Sequence, residues 1–149
     1  METAKAAKEL LDQYKLKAFS KTSGKTGIHL YLPCQGFSFP QARIIAEHLC
    51  SEIHQLVPRI TTTEMSISKR GDKLYIDPNQ NDEADTVAAP YCVRPNKIPT
   101  VSTPLEWKEI NDGLDPSQFT MHNIHKRLEK KGDLSSMYST NGSFLTLKS

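Results

Sequence analysis

Two short apolar runs, separated by a polar loop that carries two glycines, constrain the fold of this chain most strongly. The runs lie at residues 16–20 and 28–32, and the loop between them, residues 21–27, reads Lys-Thr-Ser-Gly-Lys-Thr-Gly. The second run alternates around His29, which is typical of a strand with one buried face. The spacing therefore predicts two strands joined by a hairpin or a sharp loop.

Helical periodicity flanks these strands. Residues 4–14 carry one apolar stripe, and residues 115–131 carry another. The longest predicted helix begins at Ser38, a capping residue followed by proline in the first turn, and ends at Pro58. Further short strands are predicted at residues 73–77 and 100–103. This order predicts an α/β (α+β) fold in which helices pack on a small, mainly antiparallel sheet.

Length and composition exclude several classes of protein. The chain has 149 residues, enough for one domain, and no apolar stretch approaches the 18 residues of a membrane span. The N-terminus has no secretory signal pattern. Three widely spaced cysteines argue against a disulfide framework or a zinc ribbon. We therefore expect no membrane partner and a cytoplasmic location.

The loop at residues 21–27 is also the strongest candidate for ligand binding. Its glycines, Gly24 among them, let the backbone approach a ligand, and Ser23 and Lys25 suit a triphosphate. His29 follows on the strand, where it could donate to a phosphate or sugar oxygen. The loop lacks the upstream glycine of a Walker A motif, and a strand follows it rather than a helix. A plain hairpin connection is the alternative interpretation.

Three charged residues follow other predicted strands. Asp77 ends a strand, where a carboxylate is fixed by the sheet yet open to a cleft, as a ligand of a hard cation should be. Arg70 could balance charge nearby, and Arg94 follows an apolar segment, where it could clamp a phosphate. The alternatives are a turn that Asp77 starts with Pro78 and a surface role for each arginine.

Several motifs in order resemble the polymerase domain of bacterial ligase D, a branch of the archaeo-eukaryotic primase superfamily. They are Lys-Thr-Ser-Gly-x-x-Gly-x-His, a strand ending in Asp77 before Gln-Asn, Ala-Pro-Tyr-x-x-Arg, and Val-Ser-Thr-Pro-Leu-x-Trp-x-Glu. The resemblance assigns residues 1–133 to such a primase-like domain. Residues 134–149 are rich in serine and threonine and are expected to form a flexible tail.

The resemblance implies specific roles. Ser23 and His29 match the motif that holds the phosphates and sugar of the incoming nucleotide, together with the loop residues Gly24 and Lys25. Asp77 matches a catalytic metal ligand. Arg94 matches an arginine of the nucleotide pocket, and Arg70 matches a second basic residue near it. Such domains add nucleotides, often ribonucleotides, to DNA ends in nonhomologous end joining, and they use two divalent ions, Mn²⁺ or Mg²⁺.

Two departures from the family pattern affect these implications. The family lysine occupies the position held here by Thr26, and Lys25 comes one place earlier. The family also places an Asp-x-Asp pair ahead of the loop, and these 149 residues contain none. The similar spacing of Glu83 and Asp85 lies downstream of Asp77 and is a weak substitute. A two-metal site needs several carboxylates, so Asp77 alone cannot assemble one.

Three functions remain open from the sequence. The chain is half of a split nucleotidyltransferase that another chain completes with the missing carboxylates, or a noncatalytic module that binds nucleoside triphosphates or DNA ends. The third is a scaffold that retains only the fold. Because activity belongs to the assembled site, resemblance of fold does not choose among them.

Overall fold

The computed structural model describes residues 1–138 and 144–148, which contain three α-helices, eight strands and several short 3₁₀ turns. The helices are α1 (Glu2–Gln13), α2 (Phe39–Leu56) and α3 (Ile124–Lys131). The strands are β1 (Phe19–Thr22), β2 (Ile28–Pro33), β3 (Thr61–Thr62), β4 (Leu74–Tyr75), β5 (Val93–Arg94), β6 (Thr100–Val101), β7 (Pro104–Leu105) and β8 (Phe144–Lys148).

The central feature is a four-stranded antiparallel sheet in the order β7-β1-β2-β8. The predicted strand pair around the glycine loop is confirmed as the β1–β2 hairpin. Strand β1 extends to Thr22, however, so Lys21 belongs to the strand rather than to the loop. It does so because the Lys21–His29 and Thr22–Ile28 pairs continue the ladder toward the turn. The predicted mixed fold with a small, mainly antiparallel sheet is confirmed.

Side chains alternate between the two faces of this sheet, and the aliphatic ones share one face. Leu30 lies opposite Leu147, and Leu32 lies opposite Leu145. All four are buried in the core, together with the apolar stripes of α1 and α2. The prediction for the start of α2 is confirmed, since Ser38 and Gln41 form a reciprocal capping box. The two helices therefore cover one face and leave the other for polar residues.

The C-terminal segment differs from the flexible tail expected at residues 134–149. Residues 134–138 form a 3₁₀ turn, and β8 pairs with β2 along its whole length. Leu145 and Leu147 are 1% and 2% exposed, respectively. The strand is ordered by burial of this alternating apolar pair, although its partner β2 is more than 100 positions away in the sequence. The rest of the expected tail, residues 139–143 and 149, lies outside the described residues.

A second small sheet continues the first. Strands β3 and β4 pair in parallel, and the residue after Ile76, Asp77, exchanges backbone hydrogen bonds with Lys148 at the end of β8. The Asp77 N–H donates to the Lys148 carbonyl at 2.8 Å, and the Lys148 N–H donates to the Asp77 carbonyl at 3.2 Å. Strand β8 therefore lies between the β1–β2 hairpin and the strand that leads to Asp77.

The last helix is shorter than predicted. Residues 116–118 form a 3₁₀ turn, and α3 begins only at Ile124. Between them, the Val101 N–H donates to the Phe119 carbonyl, and the Met121 N–H donates to the Pro99 carbonyl. These bonds hold the segment extended beside β6, so a continuous helix over residues 115–131 is excluded. No helix of residues 1–138 and 144–148 is long and apolar enough to cross a bilayer.

Arg127 attaches α3 to the rest of the fold. Its guanidinium donates to both carboxylate oxygens of Glu109 at 2.7 Å and to the Pro104 carbonyl at 2.8 Å. Burial alone would raise the pKa of Glu109, but hydrogen bonds from Arg127 and Lys131 outweigh it and lower that pKa to about 2. This bidentate pair fixes the helix against β7.

We expect Arg127→Ala to lower the free energy of unfolding by about 1.5–3 kcal/mol, because it removes charge-assisted hydrogen bonds from a half-buried carboxylate that Lys131 still contacts. Urea denaturation measures the change. Arg59→Ala is the matched control, since Arg59 is exposed. Equal effects of the two substitutions would contradict the anchoring role.

Candidate functional site

A row of four polar residues crosses the face of the sheet that the helices do not cover. Lys21 on β1 lies opposite His29 on β2, His29 lies opposite Lys148 on β8, and Lys148 lies opposite Asp77. Directly opposite residues of antiparallel strands project from the same face. The four side chains therefore form one continuous polar row, which we call the sheet row.

Lys21 and His29 are the buried end of the sheet row. Lys21 is 0% exposed and His29 is 7% exposed. The Lys21 Nζ lies 3.1 Å from the His29 Nδ1 and donates to the Ser102 hydroxyl at 2.5 Å. The Ser102 hydroxyl in turn donates to the Thr22 carbonyl at 2.7 Å. The cation is thus held by side chains of two neighbouring segments.

Arg94 approaches the sheet row from the β5–β6 hairpin. Its aliphatic stem packs on Gly24, whose φ of +72° is in the left-handed region. The Arg94 Nε is buried and has no hydrogen-bond partner within the described part of the chain. A buried donor without a partner is costly, and it marks a place where an anionic acceptor would fit.

The cations of the site repel one another. Burial, and then the charges of Lys148 and Arg94, lower the pKa of Lys21 to about 7. Burial followed by Lys21, Lys148 and Arg94 lowers the pKa of His29 to about 3, so the ring is neutral at ordinary pH. The pKa of Lys148 is also lowered, mainly by burial. This concentration of positive charge would be relieved by a bound anion.

The glycine loop closes on Ser23 rather than standing open. The Ser23 hydroxyl accepts the backbone N–H groups of Lys25 and Gly27 at 3.1 Å each. The carbonyl of Gly24 accepts from Asn96 and Thr100. Ser23 therefore shapes the loop, and Lys25 is exposed at its tip.

Asp77 is the acidic end of the sheet row. Its Oδ1 accepts the backbone and side-chain N–H groups of Asn79 at 2.9 and 3.0 Å. The Asn79 side chain also donates to the Tyr75 hydroxyl at 2.9 Å. The carboxylate is thus held in a fixed orientation. Its charge lies close enough to Lys148 to raise the pKa of that lysine, against the larger lowering effect of burial.

Arg70 is placed differently from the other predicted site residues. Its guanidinium donates to the carbonyls of Glu64 and Met65 and lies 3.9 Å from the centre of the Tyr75 ring. Arg94 packs on Gly24, and His29 and Asp77 both belong to the sheet row. Arg70 is connected to Asp77 indirectly, through Tyr75 and Asn79.

Sequence reasoning missed Lys148 and Lys21 as members of the site. Lys148 lay in the expected tail, and Lys21 was counted with the loop. A signal was present for Lys148, since Leu145 and Leu147 alternate with Thr146 and Lys148 as in a half-buried strand. Its neighbours His29 and Asp77 are far away in sequence and could not be identified from that pattern.

Gly24→Ala should move Arg94, because a methyl group at this position would overlap the Arg94 side chain. We expect the affinity for a triphosphate to fall about 10-fold or more, the size of one charge-assisted hydrogen bond. Gly36→Ala is the matched control, since Gly36 also has a positive φ (+87°) but has nothing within 4 Å of an added Cβ. Isothermal titration of both variants tests this, and an equal affinity would contradict it.

A metal centre is not complete within the described residues. Residues 1–138 and 144–148 contain no group of three or more His, Cys, Asp or Glu side chains placed to hold an ion. Asp77 offers one carboxylate, and a lysine lies beside it. These residues alone do not fit a site for two divalent ions.

Comparison with known proteins identifies relatives over most of the chain. Residues 1–135 match the family model described as LigD, primase-polymerase domain. The bifunctional non-homologous end joining protein LigD of Bacillus subtilis is 34% identical over 134 residues, which are 89% of this chain and 22% of the relative. The multifunctional LigD of Mycobacterium tuberculosis is also 34% identical over 134 residues, which are 18% of its length.

A solved structure agrees with these relatives. The polymerase domain of Mycobacterium tuberculosis ligase D, determined in complex with DNA, superposes with a TM-score of 0.85 at 32% identity. The match covers 95% of this chain and 50% of that domain. The chain thus spans about half of the solved polymerase domain and about a fifth of the curated relatives. It belongs to the LigD primase-polymerase domain family.

Proposed function

We propose that Arg94, His29 and Lys148 bind the phosphates of a nucleoside triphosphate, with the buried charge of Lys21 behind them. One observation carries the proposal. The Arg94 Nε has no hydrogen-bond partner among the described residues, and it lies near two lysines whose pKa values are lowered. A polyanion would supply the missing acceptor and offset the repulsion among the cations. Ser23 and Gly24 shape the loop that borders this surface, and Lys25 at its tip is a further cation for the phosphates.

His29 and Arg94 then have distinct tasks. Arg94 supplies a charged donor whose position is set by its packing against Gly24. His29 is neutral and supplies directional hydrogen bonding to a phosphate or sugar oxygen. Arg70 does not face the phosphates in this proposal. It supports the Asp77 segment by stacking on Tyr75, whose hydroxyl contacts Asn79.

We further propose that the chain is half of a nucleotidyltransferase of the LigD type. Its relatives are named for non-homologous end joining, and its solved neighbour was determined with DNA. DNA ends are accordingly the proposed second substrate, and the cytoplasm, where bacterial DNA lies, is the proposed location. Mn²⁺ or Mg²⁺ would require carboxylates from outside these 149 residues, from a further segment or another chain, in addition to Asp77.

A noncatalytic nucleotide- or DNA-binding module is the second candidate. The position of Lys148 favours it, because that lysine lies directly opposite Asp77 in the sheet. A divalent ion at Asp77 would need further oxygen ligands, and the positive charge of Lys148 lies beside that carboxylate instead. On this second proposal, a metal ion could bind at Asp77 only after β8 moved away or Lys148 was replaced.

A primer-extension assay with Mn²⁺ and ribonucleotides distinguishes the two candidates. The split-enzyme proposal predicts no extension by this chain alone, and extension after mixing with a segment of the Bacillus subtilis polymerase domain that carries an Asp-x-Asp pair. Asp77→Asn should abolish the restored activity. Triphosphate binding without extension in the mixture would favour the module. Extension by the chain alone would contradict the need for added carboxylates.

Triphosphate binding should take up protons near neutral pH. The pKa of Lys21 in the free chain is about 7, so this lysine is largely neutral at about pH 8. A nearby anion raises that pKa, and the lysine regains its proton on binding. We expect uptake approaching one proton at about pH 8 and little at about pH 6, measured by calorimetry in buffers of different ionisation enthalpy. Lys21→Met should abolish the uptake.

A further inference from the structure

Lys21 is a charged side chain that a ligand cannot reach. It is 0% exposed, and its Nζ contacts the His29 Nδ1 and the Ser102 hydroxyl. A lysine that only bound phosphate would need an accessible ammonium group. Lys21 can therefore act on a ligand through its charge, but its hydrogen bonds reach the site only through the side chains that it touches.

The number of donors and acceptors on each group fixes which atom donates in the contacts of Lys21 with Ser102 and His29. The Ser102 hydroxyl donates its single proton to the Thr22 carbonyl, so its oxygen accepts from Lys21. A protonated lysine has three donors and no acceptor. The His29 Nδ1 at 3.1 Å must then accept as well, and it carries no proton. In a neutral imidazole the other nitrogen, Nε2, carries the proton.

The charged groups around His29 support the same arrangement. Lys21 and Lys148 flank it on β1 and β8, and Arg94 approaches from β5. All three are cations, and together with burial they keep the ring neutral. Lys21 itself has Lys148, Arg94 and Cys92 as charged or titratable neighbours besides His29, and its Nζ lies 5.5 Å from the centre of the Tyr31 ring.

We infer that Lys21 is a positioning residue that holds His29 in the neutral tautomer protonated on Nε2, so that the ring presents an N–H donor to a phosphate or sugar oxygen. The identity of that ligand rests on the proposed function. The tautomer is a property of the free chain and is tested without any ligand. Lys21 favours this tautomer most strongly at about pH 6, where the lysine is protonated. The preference weakens as the pH rises through about 7, the pKa of Lys21.

Long-range ¹H–¹⁵N spectra of the histidine rings in the ¹⁵N-labelled chain test this inference. The five histidines are assigned by single substitutions, with His29→Gln identifying the ring in question. At about pH 6 we expect a single His29 species with an unprotonated Nδ1 and a protonated Nε2. A ring protonated on Nδ1, or on both nitrogens, at this pH would overturn the inference.

Lys21→Met shows whether the lysine is the cause. The variant removes the donor but keeps an apolar side chain of similar length in the buried position. We expect His29 to become an exchanging mixture of tautomers and to titrate at a higher pH than in the unaltered chain. An unchanged pure tautomer with an unchanged titration midpoint would overturn the role of Lys21. Lys69→Met, at an exposed lysine, should leave the His29 spectrum as it is.

Lys21→Leu provides a second variant should Lys21→Met fail to fold. It also removes the donor to the His29 Nδ1 and places an apolar side chain in the buried position. The same mixed tautomer is expected, and a pure Nε2–H species would count against the inference.

Nucleotide binding is measured separately from the tautomer. We expect Lys21→Met to weaken ATP binding at about pH 6 by about 2- to 10-fold, the size of one neutral hydrogen bond. If the unaltered chain shows the pure tautomer but binds no ATP, the proposed function fails and the positioning role of Lys21 stands. If it binds ATP with His29 in another tautomer, the inference fails and the proposed function stands.

Discussion

Leu147→Ala will lower the free energy of unfolding by about 2–5 kcal/mol, the range for a leucine truncated in a well-packed core. Leu147 is 2% exposed and lies opposite Leu30, on the face of the sheet that α1 and α2 cover. Its loss leaves a cavity between β8 and these helices. The same substitution should also weaken triphosphate binding, because β8 carries Lys148 into the sheet row.

Chemical denaturation with urea measures this effect directly. Leu56→Ala is the matched control, since Leu56 ends α2 and is 53% exposed. We expect it to change the free energy of unfolding by less than about 1 kcal/mol. If the two variants were equally stable, residues 144–148 would behave as the flexible tail that the sequence suggested. Lys148 would then have no fixed position in the sheet row.

Arg94→Gln will reduce the affinity for a nucleoside triphosphate by about 10- to 100-fold. The estimate corresponds to one hydrogen bond between charged partners, about 1.5–3 kcal/mol. The substitution removes the charge and the guanidinium, and it leaves a neutral amide at about the position of the Arg94 Nε. Stability should fall little, because the substitution also removes a cation that repels Lys21 and Lys148.

Isothermal titration with ATP measures the change in affinity. Arg59→Gln is the same chemical substitution at an exposed arginine in the turn after α2. It should leave the affinity within about 2-fold, since surface charges distant from a ligand act weakly at physiological salt. A smaller loss for Arg94→Gln than for Arg59→Gln would show that Arg94 does not contact the phosphates.

The sequence was sufficient for those elements whose signals are local. Ser38 as a capping residue, proline in the first turn and an apolar stripe together predicted α2 nearly to the residue. Alternation around His29 did the same for β2. Each of these signals lies within a few positions of the element that it specifies, so one chain without relatives is enough to read it.

Elements that depend on distant partners were predicted less well. The helix predicted over residues 115–131 lost its first half because Phe119 and Met121 hydrogen-bond to the segment 99–101. Strand β8 is short and buries Leu145 and Leu147. It is held in place by pairing with β2 and by the bridge to Asp77. Local propensity contains no information on such partners, and tertiary packing overrides it.

The candidate site shows the same division. Ser23, His29, Asp77 and Arg94 were found because each belongs to a motif that resembles the family. Lys21 and Lys148 were missed because their importance comes from the register of the sheet, which places them on either side of His29. Register is set by pairing along whole strands, so it becomes visible only in the folded chain.

Isothermal titration of the unaltered chain with ATP in metal-free buffer shows whether Arg94, His29 and Lys148 form a phosphate site. We predict ATP binding that weakens as salt increases, because these residues recognise charge. Adenosine, which lacks phosphates, should bind at least about 10-fold more weakly. Equal affinities for ATP and adenosine, or no binding of ATP at low salt, would show that these residues do not bind phosphate.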